Sequence, residues 1–342
     1  MHNQHNQQTM TTIKSIFYFP PKERSGIYKN PYSINLLKSL SPYFTIKDNK
    51  SWLYRMLPKG LKLLLMSYSA DIYIISWLES VCFGKIAFAQ YIFSYLAIQI
   101  LRIRKVKIVW IFHNIHPHQG NNFLSKYIQS LLFKNSNLII THSVEAANYA
   151  KKHTDKPVVY KCHPFKRLRT KEFKGKVTYH DVFIWGTILP YKGILEFLLE
   201  HEKRQSALNI YILGKCHDTL LNKSIKKQCN SHISYDNKAA SFDEIAAYIK
   251  NSKYVLFPYV GDCVSSSGAL IDTISMQGMP VGPHKGAFID LAKENLCLTY
   301  SNYTELFEIL NNEHKVFTEN SFIEENSWEH FGKFLQKSIK QM

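Results

Sequence analysis

Along most of the chain, short apolar runs alternate with longer amphipathic stretches, a rhythm that predicts strands each followed by a helix. Ile13–Phe19 predicts a first strand, ended by Pro20-Pro21, and Pro31–Leu40 predicts a helix with proline in its first turn. Trp52–Met66 mixes aromatics, leucines and bases around Pro58 and Gly60. It reads equally as a segment lying in a membrane interface or as an amphipathic core helix with a basic edge. From Asp71 the alternation becomes regular. Asp71–Ser76, Lys107–Phe112, Asn137–Thr141 and Val158–Tyr160 predict strands, with helices over Phe83–Arg102, Asn122–Lys134 and Val144–Lys152. Fully apolar strands separated by helices indicate a parallel sheet covered on both faces.

Charge-rich Lys166–Lys176 interrupts the pattern and reads as a linker, after which the rhythm restarts. Strands are expected at Val182–Trp185, Ile210–Leu213, Ile233–Tyr235 and Val255–Phe257. Helices are expected at Gly193–Glu200, Thr219–Gln228, Phe242–Lys250, Tyr303–Leu310 and Ser327–Ile339. The fold class is therefore α/β, with two doubly wound, Rossmann-like domains facing each other across a cleft. The boundaries are 1–165, a linker at 166–178, 179–325, and a C-terminal helix at 326–342 placed to pack back on the N-terminal domain. A length of 342 residues suits two domains.

Charge sharpens this division. Residues 1–165 hold 21 Lys and Arg against 6 Asp and Glu, whereas residues 166–342 hold 22 against 20. The basic excess of the N-terminal half points to an anionic partner there, such as a membrane surface, a lipid phosphate or nucleic acid. Aromatic-basic RNA-binding patterns and zinc knuckles are absent, which ranks nucleic acid last. The six cysteines are scattered without a CxxC pair, so neither a zinc site nor a disulfide framework is expected. The polar start MHNQHNQQTM reads as no signal peptide. The longest apolar run, Ile86–Leu101, is shorter than the ~20 residues of a spanning helix. It reads as a buried helix, the alternative being a partly membrane-facing one.

Candidate chemistry gathers at strand ends. In Tyr254–Gly286, a strand, a polar loop and a helix opening at Ser267-Gly268 follow one another, an arrangement whose free amides and helix dipole bind phosphates. Gly186–Gly193 (GTILPYKG) repeats it, with Lys192 at the helix entry able to hold a phosphate as a point charge. Two such loops in one domain favour a diphosphate site. No GxGxxG follows the first strand and no GxxxxGK[ST] occurs, which argues against dinucleotide and P-loop chemistry. His113, at the end of an apolar strand, is a candidate for hydrogen bonding to substrate. His113, His116 and His118 lack an accompanying carboxylate or Cys, so no metal is expected there. His163-Pro164 follows the last strand of the first half.

These pieces in this order resemble the GT-B glycosyltransferases, specifically the large retaining family 4 group that uses nucleotide-sugars. The carriers are His113-Asn114, His163-Pro164, GTILPYKG, Ile212–Lys215, Phe257–Tyr259, Ser267–Leu270 and Gly278–Val281, spread over roughly residues 105–295. The resemblance implies sugar transfer with retention and neither metal nor cofactor, the nucleotide-diphosphate sugar being the donor. It places the diphosphate on Gly186, Thr187, Lys192, Ser266, Ser267, Gly268 and Ala269. The nucleoside falls to Gly214, Lys215, Tyr235, Asp272 and Thr273, catalysis to His113 and Asp262, and the acceptor side to Asn114, His116 and His118. Many relatives carry two Glu eight residues apart where this chain has Ser265 and Thr273, and an Arg where it has Thr187. The expected activity is transfer to a lipid-linked or polysaccharide acceptor by a cytoplasmic enzyme, peripheral on the inner face of the cell membrane. The rivals are a GT-B nucleotide-sugar epimerase and a non-catalytic membrane- or anion-binding protein.

Overall fold

A computed structural model describes residues 14–21, 30–115, 122–166, 170–261, 266–312 and 321–342. It contains two six-stranded sheets whose recorded strand pairs are all parallel. Strands β1 (Ser15–Phe19), β2 (Thr45–Lys47), β3 (Ile72–Ser76), β4 (Lys107–Phe112), β5 (Leu138–Thr141) and β6 (Val158–Tyr160) form the first, in the order β2-β1-β3-β4-β5-β6. Strands β7 (His180–Trp185), β8 (Ile210–Leu213), β9 (Ile233–Asp236), β10 (Ser252–Leu256), β11 (Pro280–Pro283) and β12 (Leu298–Tyr300) form the second, in the order β12-β11-β10-β7-β8-β9.

Six helices accompany the first sheet along the chain: α1 (Pro31–Leu40), α2 (Trp52–Met56), α3 (Lys59–Met66), α4 (Ala87–Ile103), α5 (Phe123–Asn135) and α6 (Val144–Lys151). Those of the second half are α7 (Ile194–Lys203), α8 (Thr219–Lys227), α9 (Phe242–Lys250), α10 (Gly268–Ser275), α11 (Gly286–Lys293), α12 (Tyr303–Asn311), α13 (Ser321–Glu325) and α14 (Trp328–Gln341). By backbone contacts the chain forms two compact units. One comprises residues 1–111, 122–138 and 332–342, the other residues 112–121 and 139–331.

In the larger unit, period-two alternation sends successive strand residues to opposite faces of the second sheet. Phe183, Trp185, Tyr211, Leu213, Val255 and Phe257 face one core, closed by α9, α10 and α11 through Ile249, Ile274 and Phe288. Val182, Ile184, Ile210, Ile212, Tyr254 and Leu256 face the other, closed by α7, α8 and α12 through Phe197, Ile225 and Phe307. Burial on both faces explains why these strands read as unbroken apolar runs.

Two helix starts in this unit are satisfied reciprocally. Glu145, in the first turn of α6, accepts from Gly286 N at the start of α11 (2.8 Å), and Asp290 of α11 accepts from Val144 N at the start of α6 (2.9 Å). Each carboxylate thereby meets an otherwise unmatched amide at the positive end of the other helix.

In the smaller unit, the N-terminus of α3 packs closely on the middle of α4. Gln90 Oε1 accepts from Gly60 N at 2.6 Å, and Ser94 Oγ donates to Gln90 O. Helix α14 lies against α1 at Gly332, so close to Ser39 that a Cβ there would stand 2.5 Å from the Ser39 carbonyl oxygen. Lys107 Nζ donates to Met342 O.

The expectation of a buried helix over Ile86–Leu101 is corrected in part. Gln90, Ser94, Ala97, Ile98 and Leu101 form the buried stripe of α4, whereas Phe88, Ile92, Tyr95 and Leu96 are exposed. The inner stripe carries the polar Gln90 and Ser94 because they serve the α3 contact, so the apolar residues left over face outward. Helix α4 also starts at Ala87 and not at Phe83, after a 3-10 turn at Leu78–Val81.

The second sheet depends on one close approach. At the end of β8, a Cβ on Gly214 would sit 1.9 Å from the Gly186 carbonyl oxygen at the end of β7. Gly214→Ala is therefore expected to destabilise the fold by roughly 1–3 kcal/mol, seen as a lower denaturant midpoint. An unchanged midpoint would show that these strand ends part without cost.

Candidate functional site

The site is built where β7, β8 and β10 end side by side. After Trp185 the chain turns at Gly186, passes exposed Thr187, and closes a 3-10 turn at Pro190–Lys192 before α7. Gly193 then takes φ 63°, and a Cβ there would lie 2.0 Å from the Pro258 carbonyl oxygen in the loop after β10. Only glycine meets both requirements. Val260 N donates to Tyr191 O at 2.9 Å, tying the two loops a second time. The loops that the sequence predicted separately as phosphate sites are thus one structure.

Lys192 lies at its centre and is only 9% exposed. Its Nζ is 5.8 Å from the centroid of the Tyr259 ring, and a Cβ built on Gly186 would be 3.4 Å from it. Burial pushes the ammonium down to about 8 from the ordinary lysine value of 10.5. The buried Tyr259 hydroxyl in turn meets Ser267 Oγ at 3.1 Å, and burial raises this phenol. Ser267 occupies the N-cap of α10 without capping it, so Gly268 and Ala269 present amides at an open helix start. Space in front of Gly268 is open, since a Cβ built there meets nothing within 4 Å. Ser266 Oγ is buried with no partner among the described residues. Tyr259 thus links Lys192 to the start of α10, where Ser266 and Ser267 add hydroxyls and Gly268 and Ala269 add amides. That set can neutralise an anion carrying several oxygens.

The remaining predicted residues divide. Gly214 is buried at the end of β8, Lys215 next to it is exposed, and Ile188 N donates to Lys215 O. Tyr235 on β9 donates to Asn222 Oδ1 at 3.0 Å, and Asn237 donates to the same oxygen at 2.8 Å. Asp272 on α10 is half-buried, and burial raises its carboxyl to about 6 against the opposing charge of Lys166. Thr273 faces inward: it is fully buried and its hydroxyl accepts from Trp185 Nε1 at 2.9 Å. That hydroxyl is committed to the core, because an unmatched indole N–H would be costly. Asp262, His116 and His118 lie outside the described residues.

His113 and Asn114 are buried just beyond β4. The structure sets His113 in a row the sequence reading missed. Its ring is 5.3 Å from that of His142, just beyond β5, and His142 is 5.3 Å from His163, just beyond β6. Burial lowers His142 to about 4 and His163 to about 3, the latter helped by the neighbouring His142, so both rings are neutral at pH 7. His142 Nδ1 lies 2.8 Å from Lys161 O, which assigns its proton to that nitrogen. The signal was present: three neighbouring strands are each followed within a few residues by a histidine, in WIFHN, IITHS and VYKCHP. Among the described residues no group of three or more His, Cys, Asp or Glu is placed to hold a metal.

No protein-family model and no curated protein matches the chain in sequence. Solved structures do match. HepE of Anabaena, in complex with UDP and glucose, superposes with a TM-score of 0.66 at 11% identity over 96% of this chain and 100% of that one. AviGT4, a glycosyltransferase involved in avilamycin A biosynthesis, gives 0.58 at 9% identity over 96% and 97%. The UDP-forming trehalose-phosphate synthase of Burkholderia vietnamiensis gives 0.58 at 7% over 91% and 82%. The chain has the GT-B fold, its neighbours in structure being GT-B glycosyltransferases.

Two outcomes follow from burial. The folded protein holds Lys192 below its unfolded basicity, so below pH 8 it bears a cost on the order of 3 kcal/mol, which fades as pH rises towards 10.5. Lys192→Met is expected to raise the melting temperature of the ligand-free protein at neutral pH and to leave it unchanged near pH 10.5. Equal midpoints at pH 7 would mean that the ammonium is well solvated. Neutral His142 and His163 act on the acid side: stability should fall as pH drops from about 6.5 towards 4, and His142→Phe should flatten that fall in pH-dependent melting curves.

Proposed function

We propose that the chain is a glycosyltransferase that takes a sugar from a nucleoside diphosphate, with uridine as the favoured base. The reading rests on one observation above all, the desolvated Lys192 ammonium linked through Tyr259 to the open start of α10. A buried positive charge with no carboxylate against it among the described residues is costly to keep, and a diphosphate is a ligand that offsets that cost. HepE structures hold UDP with glucose and UDP-glucose, which supports uridine and a hexose.

As the anomeric bond breaks, its electron pair leaves with the β-phosphate oxygen. Lys192 and the Gly268 and Ala269 amides stabilise that developing charge, the term expected to dominate catalysis. The acceptor hydroxyl oxygen bonds to the anomeric carbon on the face that the leaving group vacates, giving retention, and its proton passes to the departing diphosphate. His113, buried at a strand end, is assigned to the transferred sugar. No metal is invoked, because lysine and helix amides supply the countercharge. The acceptor is a lipid-linked or polysaccharide glycan on the inner face of the cell membrane, where the basic N-terminal half meets anionic lipid. No helix among the described residues is long and apolar enough to cross a membrane, which suits a peripheral protein.

Thermal shift against UDP, GDP, ADP and CMP tests the donor site. UDP at a hundredfold excess over its Kd should stabilise by about 2.7 kcal/mol, and Lys192→Ala should remove most of the effect. Stabilisation by none of the four, or an undiminished UDP response in Lys192→Ala, would overturn the assignment.

A further inference from the structure

We infer that the outward faces of α2, α4 and α5 form one surface that docks on an anionic lipid bilayer, with α4 at its centre. The inference deepens the reading of a membrane-borne acceptor and rests on it.

The outer stripe of α4 is the first observation. Phe88, Ile92, Tyr95 and Leu96 recur at helical spacing on the solvent side, while the polar Gln90 and Ser94 point inward. With Ala97, Ile98 and Leu101 buried as well, α4 is apolar on its outer face as on its inner one, unlike an ordinary surface helix whose outer face is polar. Phe88 is 66% exposed, and the rings of Phe88, Tyr91 and Tyr95 lie 6.4 and 6.2 Å apart in sequence along the helix. Helix α4 packs between α3 and α5. On α5, Phe123 is 69% exposed, and on α2 Trp52 is 60% exposed. Large apolar groups exposed on three helices of one unit are the kind of feature that marks an interaction surface.

Charge selects the occupant. No Asp or Glu occurs between Lys50 and Ala70, nor between Ser80 and Val144, so α2 to α5 are without a carboxylate. Exposed Lys59, Lys85, Arg102, Lys105 and Lys126 lie on or beside the same helices. Apolar groups ringed by cations and free of anions suit the boundary between acyl chains and anionic headgroups. A soluble acidic glycan would use the cations and leave Phe88, Leu96 and Phe123 unused.

The test is co-sedimentation of the full chain with vesicles of phosphatidylcholine alone or mixed with phosphatidylglycerol. The wild type should bind the mixed vesicles at low salt, bind them less at high salt, and bind the neutral ones weakly. Phe88→Ser with Leu96→Ser, both on the exposed stripe, should reduce binding about tenfold or more while the thermal response to UDP stays that of the wild type. Absence of binding to mixed vesicles, or undiminished binding by the double variant, overturns the surface. So does a concentration-dependent dimer that the same substitutions dissolve, which would make the face a contact between copies. Vesicle binding that persists when UDP gives no response would leave the docking face intact and remove the donor assignment alone.

Discussion

One ammonium group kept out of water organises the C-terminal half of this protein. Lys192 Nζ stands over the Tyr259 ring and against the backbone of Gly186, with burial as the cause of its lowered basicity. A charge held out of water is costly, so its position must be fixed by the backbone around it. The glycine approaches do this. Gly214 lets the ends of β7 and β8 meet, and Gly193 lets the α7 start meet the loop after β10. The register of a parallel sheet thus sets the position of a charge.

The same economy appears around the histidines. Three consecutive strand ends of the first sheet bring three imidazoles into ring contact, and the low polarity that keeps His142 and His163 neutral also fixes their tautomers through nearby carbonyls. Neutral His142 and His163 stand beside His113 without adding positive charge there.

Much of this was legible in the residues. The apolar runs located the central strands because parallel strands buried on both faces carry no polar positions to blur the signal. Edge strands β2 and β12 were missed: each has three residues, and none of the three in β2 is fully buried. The paired loops around Lys192 and Ser267 were visible as strand–loop–helix units, but their joining through Val260 and Tyr191 is tertiary. Thr273 shows the limit more sharply. Its place in the chain suggested a ligand contact, whereas its position on α10 turns it towards Trp185. His142 is marked in the chain only by the recurrence of histidine after three neighbouring strands, a pattern that no single strand end carries. The outward face of α4 could not be read from hydropathy, since an apolar helix gives the same composition whichever side is wet.

The crossed carboxylates of α6 and α11 have a mechanical consequence. Glu145 holds the start of α11 and Asp290 holds the start of α6, so neither helix can slide or rotate without breaking both bonds together. The two bonds run in opposite directions across the seam, so each helix start is held by the other helix's carboxylate. Displacing either helix along the seam therefore strains a bond at the start of the other as well as its own.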